Sequence, residues 1–246
     1  MKLLPIANLL ALAATIGLNG WSNNGVVPGK NIGAVSRAYD TLFAPAGLTF
    51  AIWGVIYLWL LVWAGYQLFG VYTGKPAAVA ANRQVGIWFV LSCVFNSLWL
   101  VAWLQERLGL SLVLMLGLLG SLLVIYLRLS EAGLTGGNTW LLGAPFSIYL
   151  AWICVATIAN TSAWLGQVAA FSAPEAWTMG MIGVATVLGA ALTVLRADGF
   201  LPWVFIWAFW GIALKHSGDP IRWVAWGGMA AVFIAFLFTL RKTSQA

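Results

Sequence analysis

Continuous apolar runs of about twenty residues recur along the chain, and a helix of that length crosses a hydrocarbon core of about 30 Å. Eight runs can be read: 3–18, 47–69, 85–104, 108–127, 140–165, 178–195, 201–214 and 222–240. They are unbroken rather than alternating, which indicates helices and not the strands of a barrel. The seventh is the shortest, with Arg196, Asp198, Lys215 and Asp219 marking its two ends. Only 7% of the 246 residues are charged and 62% are hydrophobic, whereas a soluble domain carries roughly 25% charged residues. A water-facing surface cannot be built from so few charges. The expected fold is all-α, a polytopic bundle of transmembrane helices whose surface meets membrane lipid.

The 12 Lys and Arg residues scatter through short connections without forming a stripe, which sets nucleic acid aside as a partner and leaves a topological reading. With a cytoplasmic N-terminus, Lys2, Lys75, Arg83, Arg128, Arg196, Arg241 and Lys242 fall inside, against Lys30, Arg37, Arg107, Lys215 and Arg222 outside. The excess is small and has the sense of the positive-inside rule. The 166–177 connection, which holds one glutamate and no basic residue, is then external, and both termini are expected to be cytoplasmic. Lys2 and the run after it look like a secretion signal, but Asn19-Gly20-Trp21 stands where a small-residue cleavage site is needed, so 3–18 is read as the first span.

The longest connection, 19–46, is rich in Asn, Gly and Pro and therefore turn-forming. It either folds over the mouth of the bundle or serves as a solvated connector. Spans one to five share Trp, Tyr and Asn, while the sixth is rich in small residues (Gly180, Gly183, Gly189, Ala190, Ala191) suited to close helix contact. The seventh and eighth regain tryptophan without asparagine. This shift suggests a five-helix unit over 1–172 followed by a three-helix extension over 173–246.

Placement of the 16 tryptophans is the informative pattern. At about 100° per residue, the third span gathers Trp88, Ser92, Phe95, Asn96, Trp99 and Trp103 on one face. Aliphatic positions such as Leu100 are expected to meet lipid. The fifth span gathers Pro145, Tyr149, Trp152, Ala156, Asn160 and Trp164 in the same way. In the second, Trp53, Tyr57, Trp63 and Gln67 make a stripe, and in the seventh Trp203, Trp207 and Trp210 share a side. An interfacial belt accounts for Trp140, Trp177, Trp223 and Trp103, but not for Trp53, Trp99 and Trp152 nearer the middle of their spans. Asn96 and Asn160 must face the interior, either as glue between helices or as ligand contacts. Flat aromatic walls with a few amides suit a polycyclic hydrophobic ligand; recognition of a cation by tryptophan is a second option.

All six acidic residues lie in loops or at span ends, so an intramembrane carboxylate relay is not expected. His216, the one histidine, reads as an interfacial residue reaching out of the membrane, and no metal or catalytic motif is found. Cys93 and Cys154 fall inside apolar segments, where a thiol acts as a small hydrophobe. Val124-Ile125-Tyr126-Leu127-Arg128 matches a proposed sterol-contact pattern but reads better as a helix-end anchor.

Three motifs carry a family likeness: Phe43-Ala44-Pro45-Ala46-Gly47 leading into Phe50-Ala51-Ile52-Trp53-Gly54-Val55-Ile56-Tyr57; Phe95-Asn96-Ser97-Leu98-Trp99; and Tyr149-Leu150-Ala151-Trp152 followed by Ala156-Thr157 and Asn160. In order and spacing they resemble the second, third and fifth helices of the tryptophan-rich sensory protein family, also called translocator protein or peripheral benzodiazepine receptor. The resemblance covers roughly residues 1–168 and is to a long form with three extra C-terminal helices. It implies a multi-pass protein of a bacterial inner membrane that binds a porphyrin or haem-type tetrapyrrole, or in some members sterols, as a sensor or transporter. It further implies that Trp53, Asn96, Trp99, Tyr149, Trp152 and Asn160 contribute to the pocket, to which the stripe on the second span adds Tyr57. No catalytic or metal-ligating residue is assigned. An enzyme modifying the bound porphyrin and a structural partner of another membrane complex are the alternatives, and a homodimer is one assembly the likeness allows.

Overall fold

The computed structural model describes residues 2–23, 30–39, 41–135, 140–169 and 174–243. Among the described residues every extended regular element is a helix: α1 (Leu3–Asn23), α2 (Ile32–Ala38), a 3-10 turn (Gly47–Ala51), α3 (Ile52–Tyr72), α4 (Pro76–Val85), α5 (Trp88–Leu104), α6 (Leu108–Glu131), α7 (Trp140–Val168), α8 (Pro174–Arg196), α9 (Leu201–Lys215) and α10 (Pro220–Thr243). The all-α, multi-pass fold is as expected. Among the described residues six stretches are long and apolar enough to span alone: Leu3–Ser22, Gly47–Tyr72, Leu108–Glu131, Trp140–Val168, Pro174–Arg196 and Pro220–Arg241. A seventh arises only if α4 and α5 count as one span bent by 53°. The remaining one of the eight, α9, has 15 residues, and at about 1.5 Å per residue it is shorter than a hydrocarbon core is thick.

The 70–84 connection, expected as a loop, is largely helical. Pro76 opens α4, where a missing N–H costs nothing, and Gly86 closes it at φ +52°, a conformation that favours glycine. Gly70 leaves room for Ala78, which settles against it.

The chain divides into two compact units. One comprises Met1–Ala38 and Trp53–Leu150, the other Tyr39–Ile52 and Ala151–Ala246. In the first, α5 packs along α6 and α1, with α4 on α6 and α2 on α5. In the second, α10 packs on α8 and α9, α8 on α9, and the 3-10 turn on α9. Of the small residues in the sixth span, Gly189 is the one used for close approach: a Cβ there would stand 2.9 Å from the Phe205 ring, whereas Gly180 and Gly183 face open space.

Residues 142–155 of α7 are buried around the full circumference. The aliphatic, lipid-facing back expected for this helix does not exist there, because protein covers every face of it. Its entry depends on Gly143. A Cβ at that position would lie 2.5 Å from both the Leu134 carbonyl and the Thr135 Cα, in the chain that leaves α6 through Gly133 (φ +68°). Both obstacles are backbone. Gly143→Val is therefore expected to lower stability by about 3 kcal/mol, at the upper end for overpacking, read as an earlier thermal unfolding midpoint in detergent; Gly180→Ala, facing open space, should leave it unchanged.

Candidate functional site

The site in the first unit begins with a polar stripe on α1. Asn8, Leu12, Thr15, Asn19 and Ser22 recur at intervals of three and four residues, which puts them on one face of α1, and all are buried. Thr15 Oγ1 donates to the Ala11 carbonyl (2.9 Å) and lies within hydrogen-bond distance of the Cys93 carbonyl and Ser97 Oγ (each 3.3 Å). Asn19 Nδ2 donates to the Thr15 carbonyl (2.9 Å) and to Asn96 Oδ1 (3.3 Å). Asn96 Nδ2 in turn donates to the Tyr149 hydroxyl (2.7 Å). Both ends of the Asn96 amide are thus engaged by protein, one by α1 and one by α7, and its role in this structure is to join helices. A second amide pair, Asn8 Nδ2 to Gln67 Oε1 (3.1 Å), ties α1 to α3.

Aromatic rings gather around this network. Trp53 stacks on Tyr57 one helical turn along α3 (5.4 Å between centroids, 25° between planes) and on Trp99 of α5 (6.4 Å, 27°). It meets Tyr149 edge-on (6.0 Å, 71°). Trp99 continues the stack to Trp103 (6.1 Å, 21°). The structure therefore brings together Trp53, Tyr57, Asn96, Trp99 and Tyr149, five of the seven residues expected at the site. The indole N–H of Trp99 is buried with no acceptor, and the Tyr57 hydroxyl, near the Asn96 amide, makes no hydrogen bond of normal geometry. A buried donor left unmatched costs about 1–3 kcal/mol, so this cluster is chemically suited to a flat molecule that carries an acceptor at its edge.

Trp103 is not a belt residue. It is 6% exposed, and its N–H reaches the Ile32 carbonyl of α2 (3.5 Å); Lys30 pairs with Glu106 nearby. The 30–38 part of the long connection thus lies against the end of α5. Leu100 is likewise not lipid-facing: it is 0% exposed, since four residues after Asn96 is about 40° further round and still on the packed face. The lipid side of α5 is Val94 and Leu98. Trp140 and Trp223 are exposed as a belt requires, and Arg128 lies over the Trp88 ring (5.9 Å), consistent with a helix-end anchor.

Trp152 and Asn160 belong to the second unit. Trp152 packs edge-on against Phe50 (6.0 Å, 89°), and Asn160 is buried. Here the motif 43–51 is seated on α9. The Ala46 amide donates to the Gly211 carbonyl (3.0 Å), Trp207 Nε1 donates to the Thr49 carbonyl (2.9 Å), and the bare Cα of Gly211 admits Thr49 and Pro45. His216 does not reach outward as expected. It is 5% exposed and lies between the Asp219 carboxylate and the Leu42 carbonyl, 2.7 Å from each, while Lys215 donates to the Thr41 and Ala44 carbonyls (2.8 and 3.2 Å). Slight desolvation pushes the Asp219 carboxyl up, but the hydrogen bond and charge of His216 and the amides of Ile221 and Arg222 outweigh it and hold the group below the usual carboxylate range. Beside this segment is a pocket of about 200 Å³ whose lining includes Thr41, Leu42, Ser162 and Trp177. Asp198, expected merely to mark a span end, is buried and accepts the amides of Phe200 and Leu201 at the start of α9 (2.8 and 3.0 Å). Cys93 and Cys154 are buried free thiols. Asp40 lies outside the described residues, and among those described no group of His, Cys, Asp and Glu could hold a metal ion.

No curated relative and no solved structure matches the chain. The model of the TSPO-like protein family matches residues 5–238, reaching beyond the likeness read over 1–168 to take in α8, α9 and nearly all of α10. With apolar helices throughout and a match across almost its whole length, the chain is a multi-pass membrane protein that belongs to the TSPO-like protein family.

Proposed function

We propose that the protein binds a hydrophobic polycyclic ligand, such as a porphyrin or other tetrapyrrole, at the ring cluster of Trp53, Tyr57, Trp99 and Tyr149, and acts as its sensor or transporter. The observation that carries this reading is the buried Trp99 N–H without an acceptor inside a stack of flat rings. Rings supply the stacking surface, and the orphan donor calls for an edge acceptor such as a carboxylate or carbonyl. All four residues fall within 1–172, so the reading assigns ligand binding to that part and an accessory role to 173–246.

Titration of the full-length protein in detergent with porphyrins, sterols and carotenoids, followed by tryptophan quenching, tests the reading. Saturable quenching by a porphyrin supports it; a flat response to all of them removes it. The same proposal places both termini in the cytoplasm of a bacterial cell. Reporter fusions after residue 246 and within 166–177 should report opposite sides, and a shared side would overturn that topology.

A further inference from the structure

We propose that His216 is a proton-operated latch: doubly protonated, its ring holds the 41–46 segment on α9, and with it one wall of the pocket lined by Thr41, Leu42, Ser162 and Trp177. The argument starts from what faces the two ring nitrogens. Nε2 lies 2.7 Å from the Leu42 carbonyl oxygen, which can only accept. Nδ1 lies 2.7 Å from a carboxylate oxygen of Asp219, which as an anion can also only accept. Both contacts are hydrogen bonds only if both nitrogens carry protons. The imidazolium satisfies the site and a neutral ring cannot.

When one proton leaves, the two contacts compete for the one that remains. A charged carboxylate is a stronger acceptor than a backbone carbonyl, so the proton stays on Nδ1, and Nε2 turns a lone pair toward the Leu42 carbonyl. The bond to the segment is the one that breaks. Neighbouring charges bracket the effect. Lys215 is anchored on the Thr41 and Ala44 carbonyls, Arg222 is held by the Ser217 carbonyl (2.9 Å), and Glu175 is exposed in the first turn of α8. The segment 41–52 carries no titratable side chain of its own. At the acid end, Asp219 sets the limit: its lowered carboxyl keeps the pair intact above the ordinary carboxylate range, and the pair is lost only as pH falls through that depressed value. The latch is closed between that limit and the pH at which the ring loses its proton.

Amide exchange on the full-length protein in detergent, corrected for the intrinsic pH dependence, reads the latch at Ala44 and Ala46. Their amides are bonded to the Thr41 and Gly211 carbonyls (each 3.0 Å). Across a pH series from about 5.5 to about 8.5, protection in the parent should fall by about tenfold, the equivalent of one hydrogen bond. Asp219→Asn offers Nδ1 a donor instead of an acceptor, so the remaining proton moves to Nε2 and the segment should stay protected at both ends of the range. His216→Gln should show no step with pH. Protection of the α8 amides, in the same unit, confirms that each variant is folded. No step in the parent, or an unchanged step in either variant, overturns the proposal; should His216→Gln fail to fold, the Asp219→Asn arm decides it alone.

Discussion

Asn96→Leu is expected to lower stability by about 2–4 kcal/mol, since it leaves the Tyr149 hydroxyl and one N–H of the Asn19 amide, whose other N–H stays on the Thr15 carbonyl, unmatched in a buried region where each such group costs about 1–3 kcal/mol. The bonds concerned are Asn19 Nδ2 to Asn96 Oδ1 and Asn96 Nδ2 to the Tyr149 hydroxyl. A double-mutant cycle with Tyr149→Phe should return a coupling of about 0.6–1.7 kcal/mol, the range for hydrogen bonds between membrane helices. Thermal unfolding in detergent of the parent, both single variants and the double variant supplies the cycle. A nearly neutral Asn96→Leu would mean that the amide is not what joins α1, α5 and α7.

Trp99→Leu should weaken porphyrin binding by about 1–3 kcal/mol, roughly 5- to 150-fold, the usual worth of one aromatic stacking surface. Leucine keeps apolar bulk but removes both the flat ring between Trp53 and Trp103 and its unmatched N–H. Stability should change less than affinity, because the lost donor was unsatisfied. The control is Leu98→Ile, at a position 49% exposed on the lipid side of the same helix. If Trp99→Leu binds porphyrin as tightly as the parent while Leu98→Ile weakens it, the stack is a packing device and the proposed site is wrong.

The run lengths made the helices legible, and helical periodicity made the stripes on α3 and α5 legible, because a polar or aromatic residue buried in hydrocarbon leaves a period that an aliphatic one does not. Trp53, Tyr57, Asn96, Trp99 and Tyr149 came together for that reason. The same arithmetic holds for Asn8, Thr15, Asn19 and Ser22, but two of the four can bond back to their own backbone, as Thr15 does to Ala11 and Ser22 to Asn19, so their presence on a face does not by itself require a partner helix. α7 offered no such contrast. Between 142 and 155 nearly every residue is apolar, so periodicity cannot tell a helix with one buried face from a helix buried on all of them. Nor can a shared face reveal the neighbours it meets: Tyr149 and Trp152 lie on one side of α7, yet Tyr149 packs with Trp53 and Trp152 with Phe50. In sequence His216 reads as an interfacial residue and Asp219 as the mark of a span end; the tie of His216 to Leu42 joins residues 174 positions apart, and no local pattern records that.

The all-round burial of 142–155 has a bearing on how the protein responds to the membrane around it. A change in bilayer thickness acts on helices through the side chains that touch lipid, making them tilt or bend to match. α1, α3, α6, α8 and α10 carry such side chains, among them Leu10, Leu58, Val113, Val187 and Phe238. The middle of α7 has none, so hydrophobic mismatch reaches Tyr149 only through the helices packed on it, and the depth of the ring cluster is set by protein contacts more than by the lipid a cell happens to make.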